Sequence, residues 1–230
     1  MTIPDEMQKG FGCADILTTS YCEGTFHPED RLLAEVRSRA QQAGMPPIHV
    51  GAMDGLHLEV LARAFGARKI VEIGTLAGYS AVCLSRALPA DGFIHTFEFE
   101  PKHAAVAADT FKKAGITDRV KIHVGAALDK LPSINKEGPF DLVFIDADKV
   151  SYPAYLAWAA ENLRVGGAVL ADNTFAWGMI HKDPSRITDP EDRAAVDALR
   201  RFNKIVATDR RWRATALPTA EGLTLAVKIS

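Results

Sequence analysis

The hexapeptide FIDADK, Phe144 to Lys149, sets two carboxylates and an ammonium directly behind the apolar run Leu142-Val143-Phe144-Ile145. A second apolar run, GAVLAD (167–172), ends in Asp172-Asn173. If both runs are neighbouring parallel strands, Asp146, Asp172 and Asn173 meet beyond their carboxyl ends, where open α/β sheets bind ligands. All three offer hard oxygen atoms, with no imidazole or thiolate nearby, which suits Mg²⁺ or Ca²⁺ better than Zn²⁺. The same residues have a blander use, with Asp172 capping a following helix and Asp146 bonding backbone amides. Both readings stay open here. Lys149 follows Asp146 by three residues; beside a bound cation its ammonium form is disfavoured, which suits a general base, and otherwise it is an exposed charge.

Two further stretches carry chemistry. VEIGTLAGYS (71–80) places Gly74 and Gly78 in a strand-to-helix turn where backbone can approach a ligand closely. Its spacing is GxxxG rather than the GxGxxG of dinucleotide loops, and Glu72 beside the turn suits an ammonium better than a pyrophosphate; a simple tight turn is the alternative. In FEFEP (97–101), Glu98 falls where α/β nucleotide binders bond ribose hydroxyls, with Glu100 on the same face as the solvent-facing alternative. The histidines show no HxxxH or HExxH spacing, and no GxSxG elbow is present.

These residues need a scaffold, and the chain supplies one. Five apolar, β-branched runs, KIVEI (69–73), FIHTFEF (93–99), VKIHV (120–124), DLVFID (141–146) and GAVLAD (167–172), alternate with helical stretches. That order predicts a parallel sheet covered on both faces. The periodicity predicts helices over 79–88, 101–114, 152–163 and 194–207, with Gly115 and Gly166 as stops. WRATAL and LTLAVKI, joined by PTAEG, read as an antiparallel hairpin at the sheet edge. Residues 1–65 read as a helical region with a loop at GMPPIHVGAMDG (44–55) covering the site or another subunit, and 66–230 as the core of a single domain spanning 1–230.

The charge balance, 27 Lys and Arg against 29 Asp and Glu, leaves no basic field for a nucleic acid, and Arg210-Arg211-Trp212-Arg213 reads as a solvated face. Cys13, Cys22 and Cys83 form no CxxC pair, which fits a reducing compartment, and Cys83 falls among core residues. No apolar run approaches the roughly 18 residues of a membrane span. A cytoplasmic protein without membrane partners is expected.

In this order, VEIGTLAGYS, FEFEP, FIDADKVSYPAY and GGAVLADNTFAWG resemble the cation-dependent O-methyltransferases, the catechol and caffeoyl-CoA O-methyltransferase family, which uses S-adenosylmethionine. The resemblance runs from about His49 to the C-terminus. It implies a Rossmann-like class I methyltransferase fold, a mostly parallel seven-stranded α/β sheet with helices on both faces. It also implies a homodimer and a phenolic small-molecule acceptor, a catechol-like vicinal diol before a coenzyme A ester. Glu72 and Ser80, with the backbone around Gly74, Thr75 and Gly78, would hold the methionine end of the cofactor. Glu98 would bond the ribose, and Val50, Ala127 and Asp146 would also touch the cofactor. Asp146, Asp172 and Asn173 match the metal ligands, for Mg²⁺ with Mn²⁺ or Ca²⁺ possible; Lys149 matches the catalytic base, and Glu221 an acidic position in LPTAEG. Leu76 stands where general methyltransferases carry a further glycine, and a polar residue common at Ala126 is missing. A nicotinamide-dependent oxidoreductase and a non-catalytic cofactor binder are the competing readings; the GxxxG spacing argues against the first and the retained Asp146, Lys149, Asp172 and Asn173 against the second.

Overall fold

In a computed structural model, which describes residues 16–230, seven strands form one sheet in the order β3-β2-β1-β4-β5-β7-β6. Cys13 and the N-terminal decapeptide lie outside the described residues. The strands are β1 (Lys69–Ile73), β2 (Phe93–Glu98), β3 (Val120–Val124), β4 (Phe140–Ile145), β5 (Leu163–Ala171), β6 (Trp212–Leu217) and β7 (Leu223–Lys228). β1 to β5 run parallel, and β7 pairs antiparallel with both β5 and β6.

Alternation along each strand feeds two cores, because successive side chains point to opposite faces. Ile70, Leu142, Phe144 and Leu170 face one core, packed under α2 (Arg31–Gln42), α3 (Ala52–Ala64), α4 (Tyr79–Ala87) and α5 (Pro101–Ala114). Val71, Ile73, Val143, Ile145 and Val169 face the other, under α7 (Tyr152–Asn162) and α8 (Pro190–Thr208). Strands buried on both faces must be apolar almost throughout, so charge is confined to their tips. Helix α1 (Ile16–Phe26) precedes this assembly, and the short α6 (Ala127–Lys130) follows β3.

Three expected boundaries move. The loop before α3 ends at Gly51, since Ala52 to Gly55 already form its first turn. α8 begins at Pro190 behind an Asp189 cap that accepts from Glu191 N and Asp192 N, earlier than its apolar face suggested. Gly166 stops no helix: α7 ends at Asn162, and Gly166, with φ of 80°, lies inside β5 close to the irregular register with β4. Gly115 does close α5, in the left-handed conformation. Cys83 is buried, and Cys22 and Cys83 are free thiols. Among the described residues no helix is long and apolar enough to cross a membrane.

Candidate active site

A cavity of about 1050 Å³ opens beyond the carboxyl ends of β1, β2, β4 and β5, at the point where the strand order reverses between β1 and β4. Its floor is the glycine turn. Gly74 has φ of 103°, and a Cβ there would stand 1.9 Å from the carbonyl oxygen of Asp146, so the glycine makes room for the tip of β4. Gly78, with φ of 86°, packs against the Phe111 ring, where a Cβ would lie 2.6 Å away; it lets α4 and α5 close together and does not line the cavity.

Glu72 is fully buried and also stands back from the cavity. Thr96 Oγ1 donates to it at 2.5 Å, and because that hydroxyl has one proton, Thr75 Oγ1 must donate to Thr96 across their own 2.5 Å contact. Thr75 and Ser80, which also bonds Glu72, face the cavity and link the buried acid to it. Burial pushes the Glu72 carboxyl up to about 8, and its Oε1 has no partner among the described residues.

Glu98 lines the cavity at the end of β2. Its Oε2 accepts from Thr75 N at 3.2 Å and Leu76 N at 2.8 Å, while Oε1 accepts from Glu100 N at 2.9 Å and lies 3.5 Å from His103 Nδ1. The acid therefore braces the glycine turn, and Leu76, at φ of 48°, turns its amide toward it. Glu100 is exposed at the start of α5. Val50 and Ala127 line the cavity from opposite sides of the turn.

At the tips of β4 and β5 the two acids of FIDADK divide their work. Asp148 accepts from Ser151 N and from the Tyr155 hydroxyl at 2.6 Å, so it is the capping residue. Asp146 instead accepts from Lys149 Nζ at 2.9 Å, and that ammonium also donates to the Tyr152 hydroxyl at 2.8 Å. Asp172 is 4 % exposed, its Oδ1 has no partner among the described residues, and the next helical turn carries no side-chain cap. Burial, then the Asp146 charge, lifts the Asp172 carboxyl to about 7. Asn173, at φ of 57°, donates through Nδ2 to Glu221 Oε2, which leaves its amide oxygen as the free acceptor.

Among the described residues no three His, Cys, Asp or Glu side chains gather as a metal site. The donor set here is two carboxylates and an amide. A buried carboxylate oxygen without a partner, beside a second carboxylate, fits a hard divalent cation, which would relieve the like-charge pair.

Sequence reasoning missed three residues. Asp54, in the first turn of α3, lines the cavity and acts electrostatically on Asp172 and Glu221. Arg37 donates from Nη2 to the Val50 carbonyl at 2.8 Å and pairs with Glu29 at 2.6 Å. Tyr152 is buried beneath Lys149. Only an acid in the first turn of a helix hinted at Asp54; the other two act through folding contacts that no local pattern records. At the mouth stand Ile48, Phe99 and Trp177, all exposed.

Residues 23–229 match the model of the O-methyltransferase family. The chain belongs to this family. It is 41% identical over 208 residues to a catechol O-methyltransferase of Niastella koreensis, covering 87% of this chain and 91% of that one. A caffeoyl-CoA O-methyltransferase 1 of Eucalyptus globulus is 30% identical over 221 residues, covering 94% and 90%. The crystal structure of an O-methyltransferase from Bacillus cereus in complex with SAH superposes with a TM-score of 0.84 at 36% identity, covering 92% of this chain and 97% of that one. The fold is that of the class I methyltransferases, and the protein is a methyltransferase enzyme acting on oxygen.

Proposed function

We propose that the protein transfers the methyl group of S-adenosylmethionine to one hydroxyl of a catechol-like phenol, with a divalent cation held by Asp146, Asp172 and Asn173. The observation that carries this reading is the buried Oδ1 of Asp172, without a partner among the described residues, at the tip of β5 beside the tip of β4 that holds Asp146 and Lys149. The relatives named as catechol O-methyltransferases, and SAH in the Bacillus cereus structure, support the same donor and acceptor.

Bound S-adenosylmethionine supplies an electrophilic methyl on sulfur. Asp146, Asp172 and Asn173 would hold Mg²⁺, with Mn²⁺ or Ca²⁺ as alternatives, and the bound cation would lower the pKa of a phenol from its usual ~10. The chain's own groups do the rest. Glu98 receives the ribose hydroxyls, and Val50, Ala127, Asp146 and the backbone at Gly74 enclose the nucleoside and methionine parts. Glu72 acts on the ammonium through Thr75 and Ser80 rather than by contact, and Gly78 serves by its packing. Lys149 Nζ, as the neutral amine, takes the phenolic proton, and the wall of Ile48 and Trp177 holds the ring so that oxygen meets methyl in line.

Charge favours a small phenol over a coenzyme A ester. Asp54, Glu98, Asp146, Asp148 and Glu221 line the cavity, no arginine among the described residues does, and Lys149 is already paired with Asp146. Such a wall offers little to a triply phosphorylated tail. We assign the whole chain, 1–230, to one methyltransferase domain.

The decisive experiment follows catechol methylation with Mg²⁺, with EDTA and in the Asp172→Ala protein. Activity should vanish in EDTA and return with Mg²⁺. In Asp172→Ala, metal affinity should fall steeply while S-adenosylmethionine binds nearly as before. Methylation undiminished in EDTA would remove the cation from the mechanism.

A further inference from the structure

Lys149 Nζ has three directions besides its own carbon, and two are already spoken for, by Asp146 Oδ1 at 2.9 Å and by the Tyr152 hydroxyl at 2.8 Å. Whichever way the ammonium rotates, fixing two directions fixes the third. The third is the one that can take a proton from an acceptor.

The Tyr152 hydroxyl is itself constrained. Its single proton points between two main-chain carbonyls, Asp172 O at 3.0 Å and Ile145 O at 3.2 Å, which lie at the ends of β5 and β4. With that proton committed, the oxygen can only accept from Lys149. The bond therefore has one polarity whether Nζ carries three hydrogens or two. The ring cannot swing away, because it is wholly buried and meets Phe202 edge-on, centroids 5.6 Å apart.

We infer that Tyr152 is a positioning residue whose hydroxyl aims the proton-accepting direction of Lys149 at one hydroxyl of the acceptor. It is thereby a determinant of which oxygen of a vicinal diol is methylated. Tyr152 touches neither substrate nor cofactor and acts through Lys149. The inference rests on the proposed role of Lys149 as base.

Tyr152→Phe keeps the ring and its Phe202 contact and deletes only the acceptor oxygen. With a catechol bearing one side chain, kcat should fall about tenfold and the ratio of the two monomethyl products should move toward even. The affinity for S-adenosylmethionine, by calorimetry, should stay within about twofold. Phe202→Leu loosens the ring's packing but spares the hydroxyl; it should lower Tm and move the product ratio less than Tyr152→Phe does. Should Tyr152→Phe not fold, 3-fluorotyrosine at position 152 weakens the oxygen as an acceptor without removing it and should shift the ratio in the same direction. An unchanged product ratio and kcat in the folded Tyr152→Phe protein overturns the inference. If Lys149→Met also retains full activity, the base assignment itself is what has failed; if Lys149→Met is inactive, the fault lies with Tyr152 alone.

Discussion

Glu72 sits in the sheet as an acid that the fold prefers uncharged. Its carboxyl is raised from 4.5 to about 8, first by burial and then against the help of Thr96 and Ser80. Between those values the folded chain holds a proton that the unfolded chain has released. Stability therefore falls as pH rises through that window and is best below it, the reverse of a salt-bridged acid. Tm of the ligand-free protein should decline from about pH 5 to about pH 8, and Glu72→Gln should flatten the decline. Parallel curves for the two proteins would show that Glu72 contributes no such linkage. Glu98, on the neighbouring strand, is the opposite design: its carboxyl oxygens are met by the backbone amides of Thr75, Leu76 and Glu100.

At the scale of elements, the segment between α2 and α3 is held over the cavity from outside the sheet. Arg37 on α2 bonds the Val50 carbonyl and Glu29, lies 4.2 Å over the Tyr79 ring, and Tyr79 in turn donates to Glu29 at 2.7 Å. α2, the covering segment and the glycine-turn helix α4 are thus fastened at one place. Arg37→Ala should weaken S-adenosylmethionine binding about tenfold, the loss of a charge-assisted bond to the cover, with Arg37→Lys in between. Calorimetry giving wild-type affinity for Arg37→Ala would show that the cover stays in place without it. This fastening was invisible in the sequence because Glu29, Arg37, Val50 and Tyr79 belong to four separate segments. The strands, by contrast, were legible to within a residue or so except at the start of β5, which begins at Leu163: a strand buried on both faces must be apolar, so the runs before Asp146 and Asp172 declare where they end. Boundaries failed where a cap or bend, not burial, decides them, as at Asp189 and Gly166. At the site, the strand tips announced Asp146, Asp172 and Asn173, whereas the distance of Glu72 and Gly78 from the cavity depends on packing under α4 and α5.

For the molecule as a whole, we propose a homodimer. Tyr21 and Phe26 on α1 and Val60 on α3 are 68%, 60% and 56% exposed, more apolar side chain than a solvated helix needs. Sedimentation at micromolar concentration should give twice the 25.0 kDa chain mass; a species at the chain mass only would reject pairing without touching the catalytic reading. The sheet order has another consequence, one written in time. β6 is made before β7 yet reaches the sheet only through it, and β7 also carries in Glu221 and Gly222, which bond Asn173, Thr174 and Phe175. As the chain leaves the ribosome, the glycine turn and β2 are free to assemble early, while the tip of β5 waits for residues beyond 220. The Asn173 side of the cavity is therefore completed only once β7 has paired with β5 and brought Glu221 to it, after the glycine turn and β2 have been made.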